Sequence, residues 1–181
     1  MSEALTPHDL VEEGQKLYRK GQYKDAAQSF AQAARGFTAA GQPLDAAETL
    51  NNASVAHLQA GDPAAALEAA RDTDQVFAAA QDVRRQGIAV ANQAAALEGC
   101  GRLKEALEAY TRSAQLLRQA GETDMRASVL KNISSLQIRT GNQLQALASM
   151  DAALDQQKHL SLRERMLKKL LRVPLDMFNR R

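Results

Sequence analysis

The chain has 181 residues, enough for one core of ordinary size, and its 23 basic against 21 acidic residues leave a formal charge of +2. That balance excludes a protein that binds nucleic acid through a dominating positive field. Ala, Leu, Gln, Glu, Lys and Arg prevail, Trp is absent and aromatics make up 4%, a mixture that predicts an all-α fold.

The segment 7–41 opens at Thr6-Pro7, a capping hydroxyl ahead of a proline that needs no N–H at the first helical position. Leu10, Gly14 and Leu17 line one helix, Gly21 marks a turn, and Tyr23, Ala26, Phe30 and Ala33 line a second helix ending near Gly41. The segment 42–81 repeats the plan with Leu50, Ser54, Gly61, Ala66 and Thr73, and Asp62-Pro63 starts its second helix. The segment 82–121 repeats it with Asp82 as a cap, then Val90, Ala94, Gly101, Ala106 and Ser113. The segment 122–160 carries Leu130, Ser134, Gly141, Ala146 and Ala153, with Thr123 and Asn142 as expected caps. Residues 161–181 follow as a closing helix and tail: Ser161-Leu162-Arg163-Glu164 has capping-box spacing, and Pro174 is expected to end the helix.

Gly21, Gly61, Gly101 and Gly141 thus recur every 40 residues, with small residues at fixed distances on either side. Self-similarity at such a period is the signature of stacked helix pairs, which approach closely only where small side chains face one another. Gly41, Gln81, Gly121 and Ser161 fall where the turns between pairs are expected.

The stretch Leu10 to Ala33, with Gly14, Leu17, Gly21, Tyr23, Ala26 and Phe30, and the stretch Leu97 to Ser113, with Gly101, Ala106 and Tyr110, resemble the tetratricopeptide repeat. The period exceeds the usual one of about 34, and the proline that normally ends each repeat is missing. In length the repeats are similar to those of kinesin light chains and the Leu-Gly-Asn spindle-orientation adaptors. The resemblance implies an α-α superhelix of four helix pairs plus a closing helix, in one domain. It also implies a concave groove, lined by the first helix of each pair, that holds a peptide or helix of a partner protein.

One polar column lies on those first helices: Asn52, Asn92 and Asn132, with Glu12 in the corresponding place of the first repeat. An amide carries a donor and an acceptor and matches an extended peptide backbone, and in the longer-repeat adaptors that are resembled this position does that work. The other reading is that each Asn bonds a neighbouring repeat. Asparagine is a poor helix former, so its recurrence has some cause. Arg19, Arg84, Arg85, Arg126, Lys131 and Arg139 outnumber Glu48, Glu98 and Asp124 on the same helices, a balance that either is ordinary solvated surface charge or favours an acidic ligand, with Arg19, Lys131 and Arg139 as its expected contacts.

The closing helix is basic and amphipathic: Leu162, Met166, Leu170 and Val173 form one row, Leu160, Leu167 and Leu171 another, and Arg163, Arg165, Lys168, Lys169 and Arg172 the rest. It either caps the last repeat or serves self-association or docking on a membrane surface, aided by Leu175, Met177 and Phe178.

Catalysis is not expected. His8, His57 and His159 lack metal-site spacing, Cys100 has no histidine near it in sequence, and no glycine loop suits a phosphate. No cofactor is implied. One cysteine and an N-terminus without a basic-then-apolar leader predict a cytoplasmic protein.

Overall fold

The computed structural model describes residues 5–157 and 160–179, with side chains described as far as Leu171. Ten helical segments follow one another: α1 (Pro7–Arg19), α2 (Tyr23–Ala39), α3 (Pro43–Gln59), α4 (Pro63–Ala69), α5 (Thr73–Ala79), α6 (Val83–Gly99), α7 (Leu103–Gln119), α8 (Thr123–Arg139), α9 (Gln143–Gln156) and α10 (Leu162–Asn179). With α4 and α5 as two halves of one interrupted helix, these make four antiparallel pairs and a closing helix. The all-α expectation holds, and the long repeat is explained by helices of 17 residues in α2, α3, α6, α7 and α8.

The turns obey a shorter rule than the 40-residue period. Gly21, Gly41, Gly61, Gln81, Gly101, Gly121 and Gly141 all have positive φ, between 58° and 81°, one every 20 residues. Each closes the preceding helix in the same way: Gly21 N–H donates to Tyr18 O and Gln22 N–H to Leu17 O, both at 3.0 Å, and the pattern repeats down to Gly141 and Asn142. These paired bonds satisfy carbonyls that the helix end leaves open. Turns within and between pairs are therefore equivalent, and Gln81 occupies a left-handed position that the other six turns of the chain fill with glycine.

Packing follows the small-residue columns. Ser54, Ala94 and Ser134, Ala26, Ala66, Ala106 and Ala146, and Ala33, Thr73, Ser113 and Ala153 are all at most 2% exposed. In the first pair the crossing demands glycine: a Cβ on Gly14 would sit 2.8 Å from the Phe30 ring. Phe30, Phe37, Phe77, Tyr110, Leu117 and Leu136 fill the spaces between crossings.

The expected caps divide. Thr6 and Asp9 form a reciprocal box at α1, Asp62 accepts from Ala65 N–H at 3.0 Å, and Asp82 accepts from Arg85 N–H at 2.8 Å. Thr123 is instead the first helical residue of α8, with Glu122 at the cap and no side-chain bond. Asn142 stands at the cap of α9, but its amide donates to Thr140 Oγ1 at 3.2 Å rather than serving the helix. Ser161 is not a left-handed turn residue. α9 stops early at Gln156, and Ser161 caps α10, its N–H donating to Glu164 Oε2 at 3.0 Å. Nor does Pro174 end α10, which runs to Asn179; an internal proline costs one amide bond and strains a helix without necessarily stopping it.

The break between α4 and α5 is a departure that the sequence did not announce. Where the first and third pairs carry Phe30 and Tyr110, the second carries Ala70, and Asp72 takes a left-handed conformation with φ 59°. Ala70 O, released from the helix ladder, accepts from Thr73 Oγ1 and Gln93 Nε2, both at 2.9 Å. Gln93 also donates to Asp74, 5% exposed, which takes a second bond from Arg112 at 2.8 Å; Thr73 donates to Asn51 at 3.1 Å. A buried polar group is tolerable only when it is bonded. Ala70, Thr73 and Asp74 are so supplied by α3, α6 and α7, which ties the second pair to the third.

Candidate interaction surface

The first helices α1, α3, α6 and α8 stand side by side, and ion pairs bridge them. Arg85 of α6 reaches Glu48 of α3 at 3.2 Å while also holding Asp82 at 2.6 Å, and it lies 5.1 Å over the Phe77 ring. Arg84 of α6 meets Glu122 at the start of α8 at 2.7 Å, and Arg139 of α8 pairs with Glu98 of α6. The basic excess on this surface is thus largely engaged by carboxylates of adjoining repeats. Asp82 is held below the usual carboxylate range by the Arg85 backbone N–H and then by its guanidinium, whose own pKa is raised in return.

The expected binding residues gather in two places. Between α1 and α3, Arg19 and Asn52 share a furrow of about 250 Å³ with Gln15, Tyr18 and Val55, with Phe30 of α2 contributing to its wall. Arg19 has no ion-pair partner among the described residues. Between α6 and α8, Asn132 lies against the Tyr110 phenol, which donates to Glu98 at 3.2 Å, the same carboxylate that Arg139 holds. Burial, with Glu98 beside it, pushes the Tyr110 hydroxyl well above the ordinary phenol range, so it stays protonated as a donor. Lys131 belongs to neither place: it turns to the closing helix and meets Glu164 at 3.6 Å. Asn92 stands between the two groups on α6, half-buried.

The amides of Asn52, Asn92 and Asn132 make no hydrogen bond to the backbone among the described residues, whereas their neighbours Asn51 and Gln93 are both spent on the α4–α5 break. Sequence reasoning missed Gln15, Tyr18 and Val55 as partners of Asn52. Gln15 and Val55 share one place in the repeat, six residues before their glycines, and that shared column was the signal available.

Among the described residues no group of three His, Cys, Asp or Glu is placed to hold a metal, and no helix is long and apolar enough to cross a membrane. His8 stacks edge-on against Phe37 at 5.0 Å, His57 and Cys100 are half-buried, and His159 lies outside the described residues.

Four stacked helix pairs with one shared face of first helices define a tetratricopeptide-like superhelix, a class of fold that generally serves as a protein–protein interaction scaffold. Within that class the chain belongs to the soluble NSF attachment protein (SNAP) family, whose model matches residues 4–171. No curated protein matches the sequence. Among solved structures, a Podosopora anserina kinesin light chain protein with nearly identical TPR-like repeats aligns over 100% of both chains at TM-score 0.54 and 13% identity. A single-substitution form of it gives the same score and identity over 99% of this chain and 100% of that one. MamA aligns over 79% of this chain and 93% of its own at TM-score 0.49 and 16% identity.

Proposed function

We propose that the surface of α1, α3, α6 and α8 holds an extended segment of a partner protein, with the amides of Asn52, Asn92 and Asn132 pairing to its backbone. The observation that carries this is the contrast between spent and unspent amides. Asn51 and Gln93 are consumed by internal bonds, while Asn52 and Asn92 make no hydrogen bond among the described residues and Asn132 is engaged only by the Tyr110 hydroxyl. The kinship supports a protein as ligand, since the family is named for attaching one. In this reading residues 1–181 act as one cytoplasmic adaptor domain without catalysis. Arg19 is the cation best placed for a ligand carboxylate, because Lys131 and Arg139 would first have to leave Glu164 and Glu98.

The test is the chain carrying Asn52→Ala, Asn92→Ala and Asn132→Ala together. Partner capture should fall by about tenfold or more, the order expected when two or three hydrogen bonds are lost, with the melting curve unchanged. Equal capture by the variant and the parent chain would remove the amides from the mechanism.

A further inference from the structure

The side chains of α10 divide by direction. Toward the repeats, Lys168 pairs with Asp155 of α9, Glu164 meets Lys131 of α8 at 3.6 Å, and Leu171 is buried. These contacts fix how the helix is turned. Away from the repeats, Leu162, Met166 and Leu170 follow one another a helical turn apart and are 79%, 66% and 67% exposed. A helix that only sealed the end of a solenoid would present a polar outer face. Arg163 and Lys169 flank this row, each about 60° from its midline at 100° per residue, and neither has an ion-pair partner among the described residues. Glu164, the only acidic residue between Leu162 and Leu171, lies on the far side and is already engaged by Ser161 and Lys131.

We propose that this outer face of α10 docks on an anionic lipid surface. The helix would lie in the headgroup plane, with Leu162, Met166 and Leu170 at the acyl boundary and Arg163 and Lys169 on lipid phosphates. A single apolar stripe with cations on both sides complements a plane that is apolar below and anionic above. A second copy fits worse: apposing two such stripes sets Arg163 and Lys169 against their own kind, with no carboxylate between Leu162 and Leu171 on that face to offset them. The surface is separate from the one formed by the first helices, so the inference goes beyond the peptide-binding reading and neither depends on the other.

The experiment is flotation of the full chain with phosphatidylcholine vesicles, with and without about 30% phosphatidylserine, a content that gives the negative surface potential a basic helix responds to. The chain should float with the anionic vesicles, be released by salt, and bind neutral vesicles at least tenfold more weakly, each basic residue contributing roughly fivefold. Leu162→Ser, Met166→Ser and Leu170→Ser together should abolish flotation without moving the melting curve. Arg163→Glu with Lys169→Glu, both at exposed positions, should abolish it independently of how the first variant folds. The proposal is overturned if the chain stays unbound with anionic vesicles, or if either variant floats as well as the parent. It is equally overturned if the stripe proves to join two copies, seen as a dimer that the serine variant dissolves in the absence of any vesicle binding.

Discussion

Three buried serines in the small-residue columns separate size from chemistry. Ser113 Oγ donates to Gly87 O and Ser134 Oγ to Ala146 O, each at 2.7 Å, whereas the equally buried Ser54 Oγ has no partner among the described residues. Replacement by alanine keeps the fit at all three, so the difference among them isolates the hydroxyl. Ser113→Ala and Ser134→Ala should each cost about 1 kcal/mol in urea unfolding, while Ser54→Ala should be neutral or stabilising, because it removes a buried group that costs free energy to desolvate. The smallness of these columns was legible because close helix approach imposes it four times over. Which hydroxyl finds a carbonyl was not, since that depends on how each crossing is turned. The Asn pair at 51 and 52 teaches the same lesson: both are amides in one helix, yet only Asn51 is committed to the interior, through Thr73.

At the scale of elements, the turns decide where helices stop. Gln81 bears a side chain at φ 58° where the other six turns have glycine, and the left-handed region penalises a Cβ. Gln81→Gly should raise stability by about 0.5–1 kcal/mol, the gain being reduced by the glycine's larger unfolded entropy; a shift of the urea midpoint with unchanged slope would show it. Repeated positive-φ glycines made the helix ends readable, and capping chemistry made four of the starts readable, those of α1, α4, α6 and α10. The α4–α5 break was not readable, because it rests on Gln93 and Arg112, 19 and 38 residues beyond Asp74. The cap of α6 adds a pH dependence. Asp82 lies below its ordinary value of 3.8 in the folded chain because Arg85 binds its charged form. Its contribution is therefore complete above that value and is lost as pH falls through the lower, folded one. Between about pH 5 and pH 3 the parent chain should lose more stability than Asp82→Asn, which cannot titrate at this position; equal losses would remove Asp82 from the acid response.

For the whole molecule, periodicity gave more than local pattern did. Forty-residue self-similarity implied four helix pairs and a closing helix, and the structure has them; the SNAP family itself was not legible, since the residues quoted for the resemblance belong to helix packing common to such solenoids. The site was legible only in part. The Asn column stood out because asparagine is unexpected in mid-helix, but the basic excess misled as a sign of free charge: Arg84, Arg85 and Arg139 turn out to bridge repeats, and Lys131 holds the closing helix. Residue types along one helix do not reveal the carboxylates that the next helix brings. What remains to bind a partner is the amide column with Arg19 and the furrow around Asn52. The most direct measurement is site-specific photocrosslinking in the full chain, with the photoreactive residue placed at Gln15 or Ala95 on the first helices, or at the exposed Glu108 on α7. Partner adducts should form from positions 15 and 95 and not from 108, and the Asn52, Asn92 and Asn132 substitutions should suppress them. Adducts formed from position 108 alone would contradict the account.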